Sequence, residues 1–489
     1  MNFVFLMTDT QNRDMVGAYG HPVVDTPNLD RLAAEGVRFD RAYTTCPLCT
    51  PARAGIFTGT HPPVNGAWAN NMPPYPTHPA MGEVFRHAGY RAAYTGKWHL
   101  DGAGYFGDGQ PGGGFEAEWW YDGMRYRNDL GQEMFDAYRR CKTPDELRQA
   151  GFDESSIWGH RVADRAIDFL QRVGDEPFVL VASFDEPHGP FVAPPEYWEK
   201  FDADELPWPR HFNAPLEGKP ALQQRHREEV SEDVASEKHR DRARRFFGCN
   251  SYIDREIGRV IEAADARGDE TCIIYTSDHG DMLGAHGLRT KGPMMYEEIV
   301  NVPLIVRLPG GPRGEVRSEA VSHLDLMPTM LELAGQKVPG GLHGQSLAGL
   351  LRDGAGPDRE AVCISFSRFA INHDDWGEFY PIRCATDGRW KLSINLFETD
   401  ELYDLADPAG ETANLIDEPG LADVRTRLHD VILEEMDRTR DPFRSFRWAD
   451  RPWRSVRKAH YHGGQHRPTP QRFDFQPATL ETNGRIGGR

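Results

Sequence analysis

The 489-residue chain is 39% hydrophobic with a formal charge of −19, which excludes a disordered chain and argues against nucleic acid or an anionic membrane as partner. Its length predicts one large domain with additions, or two to three domains. The seven cysteines, at 46, 49, 141, 249, 272, 363 and 384, are odd in number and loosely spaced, so no disulfide framework is predicted.

The apolar run at 3–7 ends at Asp9 and lacks both a basic leader and a small-residue cleavage site. It reads as a first core strand. No apolar stretch approaches the roughly 18 residues of a membrane span, so a cytoplasmic protein without membrane contact is expected. Further buried strands are predicted at 91–94, 178–182, 272–275 and 304–306. Helices are predicted at 28–35, 81–87, 161–173, 244–266 and 324–333. This alternation predicts an α/β fold, with a large mainly parallel sheet flanked by helices. Ligands gather at the carboxyl ends of such strands. Asp9, 96–97, 185–188 and 278–279 all follow a predicted strand, which points to one shared site.

From about residue 363 the pattern changes. Short strands at 380–385, 390–394 and 402–403 and an amphipathic helix at 421–436 predict a smaller α+β domain with an antiparallel sheet. The expected division is a catalytic domain over 1–362, a C-terminal subdomain over 363–440 and an extension over 441–489. The extension holds Phe443, Phe446, Trp448, Trp453, Tyr461, Phe473 and Phe475, too many aromatics for a solvated tail. It is expected to pack on its own body or to serve as an arm in a homo-oligomer.

The chemistry centres on Cys49-Thr50-Pro51-Ala52-Arg53. Pro51 suits a first helical turn, which places Cys49 at a helix N-terminus where free N–H groups favour an anion. Arg53 adds a cation one turn on. Cys46 and Cys49 alone suggest a redox pair or half a zinc site, but no second C-x-x-C or H-x-x-x-H follows.

CTPARAGIFTG at 49–59 resembles the signature of the formylglycine-dependent sulfatases of the alkaline phosphatase superfamily. TPNLDRLAAEGVRF at 26–39, GKWHL at 96–100, PHGPF at 187–191, SDHGDMLGAHG at 277–287 and ELYDLADPAGETANL at 401–415 match further blocks of that family in order. The resemblance implies that a separate maturation enzyme oxidises Cys49 to formylglycine. One hydroxyl of the hydrated aldehyde then attacks sulfur, and the other expels sulfate. It implies one divalent metal ion held by Asp9, residue 49, Asp278 and His279. Thr10 stands where many relatives have a second Asp, and His279 where many have Asn, so Mn2+ stays open beside Ca2+. By the same resemblance Arg53 belongs to the catalytic set, and Lys97 and Lys291 hold sulfate oxygens. His99 assists the residue at 49, and His188 serves as acid for the leaving alcohol, alone or with Lys291. Asn71, Trp98, Asp101, His373 and Arg383, with Trp68 and Asn70 nearby, are candidate contacts to a small sulfated substrate, with a sugar favoured. His286 has either a site or a structural role.

Phosphonate monoester hydrolases and phosphodiesterases of the same superfamily form the alternative. They share the lone early Asp and the Asp-His pair but generally lack the Lys and His of GKWH. A non-catalytic binding protein on this fold would be expected to have lost some of these residues, and all are present.

Overall fold

The computed structural model describes residues 1–454 apart from 142, 235–236 and 372–377. Two sheets are present among the described residues. The large one comprises β1 (Asn2–Thr8), β2 (Val37–Tyr43), β3 (Arg91–Gly96), β4 (Trp120–Tyr121), β5 (Phe178–Ser183), β6 (Thr271–Ser277), β7 (Asn301–Arg307), β8 (Glu315–Arg317) and β9 (Val321–Ser322). Their order is β4-β3-β5-β1-β6-β7-β2-β8, with β9 also on β2. The run from β4 to β6 is parallel, and β7 is antiparallel to both β6 and β2. The parallel half follows from the alternation of elements in the sequence. The two antiparallel pairings do not, because the direction of β7 depends on long-range pairing with β6 and β2.

β1 shows why the centre of the sheet lacks polar alternation. Successive side chains point to opposite faces, and both faces are covered. Phe3, Phe5 and Met7 pack with Phe57, Phe85 and Met330 on one side. Val4 and Leu6 pack with Val162, Phe169 and Ile257 on the other. The helices Trp158–Arg172 and Glu237–Arg267 cover that second face. Burying one such aliphatic or aromatic side chain contributes about 1.5–3 kcal/mol.

The smaller sheet contains β10 (Val362–Arg368), β11 (Phe379–Thr386), β12 (Trp390–Asn395) and β13 (Glu401–Asp404), antiparallel and in sequence order. The helix Ala422–Thr439 covers one face through Leu428, Ile432 and Met436. The other face meets the large sheet's loops through Ile364, Phe366 and Ile382 against Leu48, Met294 and Tyr296. Of the expected extension, the part up to 454 folds back on its own chain. Trp448 is fully buried beside Leu428, and its carbonyl takes a bond from His429 Nε2 at 2.7 Å. Tyr461, Phe473 and Phe475 lie outside the described residues. No helix among the described residues is long and apolar enough to cross a membrane.

Candidate active site

The site is assembled at the carboxyl ends of β1, β3, β5 and β6. Asp9 follows β1 directly, Lys97 follows β3, Asp185 stands two residues beyond β5, and Asp278 and His279 follow β6. Cys49 opens the helix Cys49–Thr58, whose preceding residue Leu48 is extended and offers no side-chain cap. Two glycines make the close fit possible. A side chain on Gly96, whose φ is +108°, would meet the Ser183 carbonyl oxygen at 1.8 Å. One on Gly55 would meet Thr45 Oγ1 at 2.4 Å.

Donor atoms of Asp9, Cys49, Asp278 and His279 all lie within 4.8 Å of one another, and all four side chains are buried. Cys49 Sγ is 3.2 Å from His279 Nε2 and 3.9 Å from Asp9 Oδ1. His279 Nδ1 lies 2.9 Å from the Gly280 carbonyl, which can only accept a proton. A proton therefore sits on Nδ1, and Nε2 is the nitrogen turned toward the carboxylates; burial lowers this imidazole, but the charge of Asp278 outweighs it and holds it above its ordinary value.

Arg53 ties the cluster together. Its Nε donates to Asp278 Oδ2 at 2.9 Å and one Nη to Asp9 Oδ2 at 3.1 Å. The other Nη donates to the Lys97 carbonyl at 2.6 Å and to Ser183 Oγ at 2.8 Å. Lys97 Nζ is 2.8 Å from Asp9 Oδ2 and 3.0 Å from Asp185 Oδ1. Lys291 Nζ approaches Thr10 Oγ1 at 3.4 Å and Asp9 Oδ1 at 4.0 Å. Thr10 thus occupies the position of the missing second carboxylate as a hydroxyl, and donates to Asp9 Oδ1 at 2.5 Å.

These neighbours set the charges. Burial pushes the Asp9 carboxyl up, but Lys97, then His188, Lys291 and Arg53, hold it well below the usual carboxylate range. Asp278 is pushed up to about 7 by burial and then by the charge of Asp9. Burial and Asp9 raise the Cys49 thiol, yet Lys291, Lys97 and His279 outweigh them and hold it well below its ordinary value. Burial lowers the His99 imidazole, even with Cys49 beside it pulling the other way.

The rim is less buried. His99 Nε2 is 3.1 Å from Asn71 Oδ1, and Asn70 Oδ1 accepts the Thr50 N–H at 3.1 Å. His188 Nδ1 is 2.9 Å from the Tyr105 hydroxyl. The structure therefore brings Asp9, Cys49, Arg53, Lys97, His99, His188, Asp278, His279, Lys291 and Asn71 together.

Three expected substrate contacts stand elsewhere. Trp98 is a core residue, packed on Tyr94 at 5.0 Å and Phe57 at 5.2 Å. Its neighbours Lys97 and His99 turn to the site while it takes the opposite face. Asp101 caps its own loop, accepting from the N–H groups of Ala103 at 2.8 Å and Asp108 at 3.2 Å. Arg383 is buried on β11 in an ion pair with Asp441 at 2.6 Å. His373 lies outside the described residues. His286 is stacked on Tyr296 with ring centroids 4.3 Å apart, a structural placement away from the metal ligands. Tyr105 and Ser183 escape a reading by motif. Tyr105 sits in a glycine-rich stretch without periodicity, where its position just after GKWHL is the only signal.

A nucleophile position at a helix start, a carboxylate pair with an imidazole and three buried cations on a large mixed sheet define an ester hydrolase of the alkaline-phosphatase-like fold. The sulfatase family profile matches residues 1–336, and that of the N-sulphoglucosamine sulphohydrolase C-terminal region matches 284–438. The chain belongs to the sulfatase family and is a sulfuric ester hydrolase. It is 42% identical over 474 residues to the uncharacterized sulfatase YidJ of Escherichia coli K12, covering 96% of this chain and 94% of that protein. It is 25% identical to an ulvan-active sulfatase of Formosa agariphila, covering 99% and 89%. In fold it is similar to the phosphonate monoester hydrolase of Silicibacter pomeroyi, with a TM-score of 0.71 at 22% identity, covering 90% and 96%.

Proposed function

We propose that the protein hydrolyses sulfate monoesters of a carbohydrate or other small organic alcohol at residue 49, oxidised to formylglycine, beside one divalent cation. The observation that carries this reading is the convergence of Asp9, Cys49, Asp278 and His279 donors within 4.8 Å. The donor set fits a cation. Two buried carboxylates crowd each other, and His279 turns Nε2 toward them. The Cys49 thiol stands where an oxygen of the oxidised residue would lie. Two carboxylates and one nitrogen suit Mn2+ as well as Ca2+. When bound, the ion would lower the pKa of a hydroxyl on residue 49 and neutralise ester charge.

The charge count supports an anionic ester. Arg53, Lys97 and Lys291 face Asp9, Asp185 and Asp278, three cations to three carboxylates. A divalent ion leaves the site positive, which a singly charged sulfate ester and an ionised nucleophile offset. Lys97 and Lys291 bind and orient the non-bridging oxygens, His99 held by Asn71 moves a proton at residue 49, and His188 protonates the leaving oxygen. Cys49 is only 2% exposed, so the oxidising partner enzyme would meet this segment before the chain folds. The sugar reading draws on the Asn70 and Asn71 amides at the rim and on the ulvan-active relative.

The test is kcat/KM on an aryl sulfate, a phosphonate monoester and a phosphodiester sharing one leaving group, with the mass at residue 49 established and the metal identified by elemental analysis. The sulfate is expected to win. The lone Asp9 followed by Thr10 favours the phosphonate alternative as second reading. That reading takes over if the phosphonate or the diester wins by about tenfold or more.

A further inference from the structure

We propose that Tyr105 is a positioning residue that links Asp185 to His188 and holds His188 ready to protonate the departing alcohol. The inference rests on the reading of His188 as the acid. Tyr105 lies in the loop between β3 and β4, and its hydroxyl contacts both partners. It donates to Asp185 Oδ1 at 2.5 Å and lies 2.9 Å from His188 Nδ1. Asp185 is paired with the Lys97 ammonium at 3.0 Å, so its carboxylate accepts the single phenolic proton. Toward His188 the phenol oxygen is then left to accept. The second neighbour of Nδ1, the Gly189 carbonyl at 2.9 Å, can also only accept. Two acceptors at Nδ1 fix a proton there and leave Nε2 as the nitrogen that exchanges protons with the substrate.

The chain of groups runs from the Asp185 carboxylate through the Tyr105 hydroxyl to the Nδ1–H of His188. It resembles a carboxylate–imidazole pair with a phenol inserted between its members. This chain of groups holds the Nδ1–H of the ring and orients Nε2, the nitrogen that carries the transferable proton. As the nucleophilic oxygen of residue 49 bonds sulfur, the bond from sulfur to the alcohol oxygen breaks and its electron pair stays on that oxygen. The oxygen takes the Nε2 proton and leaves as the alcohol. Neutral imidazole remains, with its other proton on Nδ1. The Tyr105 ring has a second contact, with Lys97 Nζ 3.8 Å from its centroid. One side chain thus touches both the ammonium assigned to the sulfate oxygens and the imidazole assigned to the leaving oxygen.

Tyr105→Phe separates the two contacts, because the ring under Lys97 stays and the hydroxyl link is cut. The experiment compares para-nitrophenyl sulfate, whose leaving group needs little protonation, with para-methoxyphenyl sulfate, whose leaving group needs it more. Tyr105→Phe is expected to lower kcat/KM for the methoxyphenyl ester about tenfold more than for the nitrophenyl ester. His188→Ala should discriminate in the same direction and more strongly. The double variant should be no worse than His188→Ala alone, because Tyr105 acts through His188. If His188→Ala discriminates but Tyr105→Phe lowers both esters equally, Tyr105 is merely structural and the inference fails. If His188→Ala does not discriminate, the acid assignment fails and takes the inference with it.

Discussion

Two ionic clusters in this molecule are built differently. In the seam between the two sheets, Lys391 Nζ sits between Glu297 Oε1 at 2.8 Å and Glu411 Oε1 at 2.7 Å. The Glu297 N–H donates to Glu411 Oε2 at 2.7 Å, and Asn301 donates to Glu297 Oε2 at 2.8 Å. Carboxylates there are bridged by a lysine and satisfied by neighbouring donors. At the ends of β1 and β6 the arrangement is turned inside out. Donor atoms of Asp9, Asp278, His279 and Cys49 converge within 4.8 Å of one another, and Arg53 and Lys97 stand to the flank. A cluster closed through its own lysine holds two layers together, whereas converged donors with cations at the flank mark where a further cation and an anionic ester belong.

The largest expected effect breaks the comparison at its open end. Cys49→Ala or Cys49→Ser should lower sulfate ester turnover by about 10⁴-fold or more, with the circular dichroism spectrum and unfolding midpoint preserved. Near-normal turnover by either variant would falsify the formylglycine mechanism. Next, Lys97→Ala should cost roughly 10²–10³-fold in kcat on an aryl sulfate. Its loss should be smaller on a phosphonate monoester, because the lysine of GKWH is what separates the two groups. Equal losses on both esters would remove that distinction.

At the closed end the effect should fall on stability. Lys391→Met leaves Glu411 buried without its cation, at a cost of about 3–5 kcal/mol in unfolding free energy, while kcat of the folded enzyme stays near that of the parent. Urea unfolding and active-site-normalised kinetics read the two quantities separately. The smallest effect comes from a carboxyl in neither cluster. Glu186 accepts the Gly159 N–H at 3.1 Å and is pushed from 4.5 up to about 8 by burial and then by Asp185. The folded state therefore holds a proton that the unfolded chain loses above pH 4.5. Stability contributed by the neutral acid is lost as pH rises from 4.5 through about 8. Glu186→Gln should flatten that slope, measured as urea midpoints at several pH values across this window.

Much of the open cluster is legible in the sequence, because each member sits in a short motif placed by local pattern. Asp9, Lys97, Asp278 and His279 owe their place to the end of an apolar run, and Cys49 and Arg53 to one helical turn. The parallel core follows from the same runs. What the sequence hides has other causes. Trp98 sits among site residues by number, yet its ring packs on Tyr94 and Phe57 in the core, in a segment whose backbone turns at Gly96 and His99, both at positive φ. Arg383 pairs with Asp441, 58 residues away, and only the fold of the small sheet makes them neighbours. Tyr105 reaches the site from a loop whose path is set by glycines, and β2 pairs antiparallel with the distant β7, a pairing that no local pattern announces.

Arg53 carries a consequence for how activity is acquired. Its guanidinium bonds to groups that follow β1, β3 and β6 and to the last residue of β5, segments spread from Asp9 to Asp278. No stretch shorter than Asp9 to Asp278 contains all of these partners, so no shorter fragment can complete the site. A lysine, with one nitrogen, could not span the same four partners. Foldedness and turnover should therefore be gained in one cooperative step. During refolding the recovery of activity should follow the docking of β6, which brings Asp278 to Arg53, and not the appearance of secondary structure alone.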